Sequence, residues 1–124
     1  MKKVIYTNLA PEPVGPYSQA IQAGNYLYCS GQIAINPENN EFLNGTIEEQ
    51  TLLIMKNIQS LLKASGFSFE DVVKTTCFLD DMKNFTTFNE IYAKYFVSNP
   101  ARSCVEAKLP KGAKVEVEVI AYKD

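Results

Sequence analysis

The spacing of apolar residues changes along this chain, and each change marks an element. Between Thr46 and Gly66, the residues Ile47, Ile54, Ile58 and Leu61 recur at helical spacing, and Leu53 and Leu62 widen the stripe. Thr46, with Glu49 three residues on, has the form of a capping box, and Gly66 suits the position just past the helix end. A second helix is predicted over roughly Asn84–Val97, with Phe85, Phe88, Tyr92 and Tyr95 on one side and Pro100 barring continuation. Elsewhere the period falls to two. Short strands are predicted at residues 3–7, in YSQAIQA and YLYCSGQI on either side of a Gly24-Asn25 turn, at Val73–Leu79, and at about Ser103–Lys108 and Ala113–Lys123. LAPEPVGP reads as extended loop and NPENNEFLNG as a polar connection.

This order predicts an α+β domain over residues 1–124, with helices on one face of the sheet. Alternation along the last strand sends Val115, Val117, Val119 and Ala121 one way. Lys114, Glu116, Glu118, Ile120 and Tyr122 point the other way. In the hairpin, Leu27, Cys29 and Ile33 oppose Tyr26, Tyr28, Ser30 and Gln32. A second face bearing Tyr26, Tyr28, Ile120 and Tyr122 is too apolar for a solvated surface, so another copy of the chain is expected to cover part of it.

Composition narrows the function classes. With 124 residues, 46% hydrophobic and 21% charged, the chain fits one globular core. A net charge of −2 with no Lys/Arg cluster argues against a nucleic-acid footprint or a membrane-surface role. No apolar run approaches a membrane span. Three unpaired-looking cysteines, Cys29, Cys77 and Cys104, and no signal-peptide pattern point to a reducing cytoplasm. Histidine is absent, which excludes His-based triads and leaves a metal site without its commonest ligand.

What remains is a small set of polar groups. Arg102 carries a planar fork that matches a carboxylate, although from the sequence alone a surface arginine or a structural ion pair is the commoner explanation. Glu116 and Glu118 share one strand face and suit either solvent or the holding of a water. Tyr17 follows the Gly15-Pro16 turn, and Gly31 marks a bulge or a close backbone approach. Cys104 lies two residues from Arg102, but no histidine base stands ready to activate it.

VGPYSQA, SGQI, VVKTTCFLDDMKNFTTFNEIYAKYF and PARSCVE followed by LPKGAKVEVEVIA resemble, in order and over nearly the whole chain, the Rid family of reactive-intermediate deaminases (the RidA/YjgF family). The resemblance implies a chorismate-mutase-like fold and a homotrimer with clefts between subunits. It also implies hydrolysis of 2-iminobutanoate and 2-iminopropanoate to 2-keto acids and ammonia without metal or organic cofactor. Carried over, Arg102 holds the substrate carboxylate and Glu116 the attacking water. Tyr17, Ser30, Gly31, Asn89 and Cys104 line the pocket, with Tyr17 from one subunit and Arg102 from its neighbour. Between Arg102 and Leu109 the chain is one residue shorter than the family pattern, a difference the turn before LPKG is expected to absorb. Two other readings use the same residues. One is a non-enzymatic binder of small carboxylates, which needs Arg102 but not Glu116. The other is the ribonuclease or chaperone-like role assigned to some relatives, which the acidic balance disfavours.

Overall fold

A computed structural model describes residues 1–124. In chain order it has β1 (Lys2–Ile5), β2 (Ala20–Ala23), β3 (Tyr26–Gln32), β4 (Ile35–Asn36), β5 (Glu41–Phe42), α1 (Ile47–Ala64), β6 (Val72–Leu79), α2 (Phe85–Tyr95), β7 (Ala101–Glu106) and β8 (Val115–Tyr122). The six longer strands form one sheet in the order β1-β2-β3-β8-β6-β7. Every neighbouring pair is antiparallel except β6 and β7, which run parallel because α2 carries the chain back to the starting end.

Local chemistry sets the helix ends. The Thr46 hydroxyl accepts the Glu49 N–H at 3.1 Å, and the Glu49 carboxylate accepts the Thr46 N–H at 2.9 Å. Such a cap contributes ~1 kcal/mol. At the other end Gly66 adopts φ +78°, which lets Phe67 N–H reach the Leu62 carbonyl at 2.8 Å and Gly66 N–H reach that of Lys63. Helix α2 starts at Phe85, one residue later than predicted, because Met82–Asn84 form a 3-10 turn capped by Asp81, and it ends at Tyr95, two residues earlier than predicted.

Both helices pack on one face of the sheet, as expected. The core between the layers holds Leu27, Cys29, Val117, Val119, Cys77 and Leu79 from the sheet, with Ile54, Ile58, Leu61 and Phe88 from the helices. Fully burying each large aliphatic or aromatic side chain contributes ~1.5–3 kcal/mol. The opposite face has no layer over it. Val4 is 61% exposed, Tyr28 46% and Val105 47%, and the Tyr26 ring lies 5.0 Å from that of Tyr122.

Three sequence expectations are corrected. YSQAIQA is strand only from Ala20, because Gly15 to Gln19 form a turn and a clamp instead. The polar connection contains the β4–β5 hairpin. In β3, Cys29 pairs with Val119 and Gln32 with Val117, so Ser30 and Gly31 together oppose Glu118. This bulge adds one residue and inverts the alternation beyond it. Gln32, expected to face outward, is therefore buried, and Ile33, expected to face the core, is only partly covered.

Candidate active site

The bulge that turns Gln32 inward also shapes a cleft of about 520 Å³. Its wall comprises the strap before β2, the end of β3, Lys111 and Glu116 of β8. The strap is fixed by Gln19, which is buried. Its side-chain amide donates to the carbonyls of Thr7, Ala10 and Pro11 and its carbonyl accepts the Thr7 N–H. The Ser30 hydroxyl donates to the Ser18 carbonyl at 2.6 Å, tying strap to strand. Tyr17, half-exposed, then overhangs the cleft, its N–H turned back onto the Gly15 carbonyl.

Glu116 is half-buried in the cleft wall, and its carboxylate accepts no protein hydrogen bond. Burial, assisted by the charge of Glu118, pushes its pKa above the ordinary carboxylate value. Gly31 makes room for it. A Cβ built on Gly31 would stand 2.3 Å from Glu116 Oε2. Of the two strand acids, Glu116 lines the cleft and Glu118 does not.

Arg102 belongs to a second cluster. It pairs in register with Thr75 of β6, and Thr75 with Val119 of β8; both are buried beneath the helices, so Arg102 points to the helix side. There its Nη1 donates to Asn89 Oδ1 at 2.7 Å. Its guanidinium carbon sits 5.4 Å from the Phe85 ring centroid and 4.8 Å from that of Tyr92. No carboxylate pairs with it, the chain's one ion pair being Lys83–Asp81. Cys104, two residues on and on the same side, has its thiol pKa pushed up by burial, which the Arg102 charge partly opposes. The strand carrying both pairs with β6 without a bulge from Ala101 to Glu106.

Glu116 pairs with Phe78, and Phe78 with Val105, on the uncovered face. Tyr17, Ser30, Gly31 and Glu116 therefore meet in one cleft, while Arg102, Asn89 and Cys104 meet elsewhere. Within one chain the sheet lies between Glu116 and Arg102. Sequence reasoning missed the Gln19 clamp and the role of the α2 rings around Arg102. The spacing of Phe85, Asn89 and Tyr92 at i, i+4 and i+7 was the available signal, and it reads first as core packing.

A family model described as Endoribonuclease L-PSP matches residues 7–123. A solved structure from Yersinia pestis, described as a protein of unknown function of the conserved Rid protein family, superposes with a TM-score of 0.95 at 48% identity, covering 99% of this chain and 100% of that one. The chain belongs to the Rid family. Two relatives of this Rid chain extend the comparison. A RutC family protein of Pyrococcus horikoshii is 51% identical, with both chains covered completely. The chloroplastic Reactive Intermediate Deaminase A of Arabidopsis thaliana is 48% identical over 97% of this chain, which spans 65% of the plant protein. No helix of the Rid chain is long and apolar enough to cross a membrane.

Proposed function

We propose that this Rid-family protein is a hydrolytic deaminase of short 2-imino acids, acting on 2-iminobutanoate and 2-iminopropanoate in the cytoplasm. The protonated imine and one water give the 2-keto acid and ammonium. Water oxygen adds to the imine carbon, the C–N bond breaks, and the nitrogen leaves with the protons it gains. This chemistry draws on no cofactor.

The observation that carries the reading is the pairing of two unsatisfied groups. Arg102 is held rigidly, with one N–H engaged by Asn89 and no acid partner. Glu116 sits in a cleft with its carboxylate free of protein donors. A desolvated guanidinium fork binds a carboxylate in a bidentate manner. A carboxylate with a raised pKa orients a water and takes its proton. The protonated imine is already electrophilic, so positioning supplies much of the rate.

The sheet separates the two groups in one chain, so the complete site draws on two copies. One copy provides Tyr17, Ser30, Gly31 and Glu116; its neighbour provides Arg102, Asn89 and Cys104. The uncovered apolar sheet face supplies the contact, and a homotrimer closes it. The description of the family model as an endoribonuclease suggests a different substrate. A chain of net charge −2 with no histidine and no basic cluster lacks the phosphate-binding surface that reading requires.

The test generates 2-iminobutanoate in situ with a threonine dehydratase and follows its capture by semicarbazide. The protein is expected to suppress semicarbazone formation by hydrolysing the imine first, and Arg102→Ala is expected to lose at least about 100-fold in kcat/KM, as for loss of a charge-assisted bidentate pair. Hydrolysis no faster than buffer, or an Arg102→Ala protein of undiminished activity, overturns the reading. Binding of 2-oxobutanoate without turnover, unaffected by Glu116→Gln, would assign the site to carboxylate binding alone.

A further inference from the structure

Arg102 extends from an edge strand, where a long side chain ordinarily samples many rotamers. Here α2 presents three side chains to it on successive turns. Phe85, Asn89 and Tyr92, at i, i+4 and i+7, form one stripe facing β7. Asn89 fixes one nitrogen, and the two rings lie within cation–π distance of the guanidinium carbon.

The Tyr92 ring is itself fixed. Its hydroxyl and the Thr75 hydroxyl hydrogen-bond at 2.7 Å in the core, and Thr75 is the residue paired beside Arg102 in the sheet. The ring also packs on Phe88 and Phe96, with centroids 5.7 and 4.4 Å away. The chain of contacts therefore runs from a rigid strand position, through a locked ring, to the charged group.

We propose that the rings of Tyr92, packed between Phe88 and Phe96, and of Phe85 are positioning groups that hold the Arg102 guanidinium in the orientation that receives a substrate carboxylate. This rests on the reading of Arg102 given above and adds what makes it effective. Asn89 occupies one donor and the rings restrict the group's plane, so the remaining N–H donors stay directed away from the helix. The rings also displace water from the guanidinium, which strengthens a charge-assisted bond to an incoming anion. Binding then immobilises little that is not already fixed.

The experiment measures the Kd of 2-oxobutanoate by calorimetry, the KM and kcat of imine hydrolysis, and the melting temperature, for Tyr92→Leu, Tyr92→Phe, Phe85→Leu and Arg102→Ala. Tyr92→Leu and Phe85→Leu are expected to weaken Kd and raise KM about tenfold, a loss of ~1.4 kcal/mol, with kcat changed less than about twofold. Tyr92→Phe keeps the ring and loses the Thr75 bond. It is expected to melt lower yet restore Kd to within about twofold of the starting protein, which a purely structural role would not produce. If Tyr92→Leu does not fold, Phe85→Leu, at a half-buried site, carries the same test. A Phe85→Leu or Tyr92→Leu protein that melts lower but binds 2-oxobutanoate with unchanged Kd overturns the proposal while leaving the reading of Arg102 intact. Unchanged binding and turnover in Arg102→Ala would instead remove the reading on which the proposal stands.

Discussion

Replacing Gly31 by alanine tests the Glu116 assignment without touching the glutamate. The backbone at Gly31 is not in the left-handed region, so alanine fits it without strain. The added Cβ, however, would lie 2.3 Å from Glu116 Oε2, 3.0 Å from its Cδ and 3.2 Å from its Cγ. Restoring van der Waals contact requires the carboxylate to retreat by about 1 Å, and a displacement of that size at a reacting centre costs about 100-fold in rate, or ~2.7 kcal/mol on the barrier. Because the clashing atoms end a flexible side chain, the fold yields at little expense, and the unfolding free energy should change by no more than for an ordinary surface substitution, about 0.5 kcal/mol. The Arg102 cluster lies on the other side of the sheet and is undisturbed. The expected signature in the semicarbazone assay is a kcat lowered about 100-fold with KM nearly unchanged. A Gly31→Ala protein with full kcat would show that the position of the Glu116 carboxylate does not matter to the reaction.

Other substitutions probe the remaining parts. Arg102→Lys keeps the charge but loses the planar fork, and kcat/KM for the imine should fall about 10- to 100-fold, mainly through KM. Gln19→Ala removes four hydrogen bonds that clamp the strap and should cost ~2–4 kcal/mol in denaturant unfolding at fixed protein concentration. Glu116 acts as a carboxylate, so activity should rise with pH through its raised pKa. Glu118→Gln removes one of the two causes of that rise and should shift the acid limb of kcat/KM to lower pH. The same raised pKa means that ionising Glu116 opposes folding. Glu116→Gln should therefore raise the melting temperature at neutral pH and leave it unchanged well below the ordinary carboxylate pKa of 4.5.

The parts of this fold visible in the sequence are those fixed by local physics. The capping box at Thr46 and Glu49, the glycine after α1 and the alternation of β8 all appear where the residues place them. Gly31 pointed to a bulge, but the inversion of Gln32 and Ile33 beyond it was not visible, because one inserted residue leaves composition and periodicity nearly unchanged while inverting the side chains that follow. The two-residue strands β4 and β5 carry too little pattern to stand out among Asn and Glu. Site residues were nameable from motifs, but their grouping was not. Whether Arg102 and Glu116 share a face depends on strand order and on the parallel β6–β7 pairing, both set by contacts distant in sequence.

That separation gives the most direct test of a site built between copies. Arg102→Ala and Glu116→Gln proteins, each inactive alone, are unfolded together and refolded as mixed oligomers. Where a Glu116→Gln chain supplies Arg102 and an Arg102→Ala chain supplies Glu116, an intact site forms, so random mixing should restore about a quarter of the starting activity. A mixture no more active than either variant alone would place both groups in the same chain's site and contradict the account.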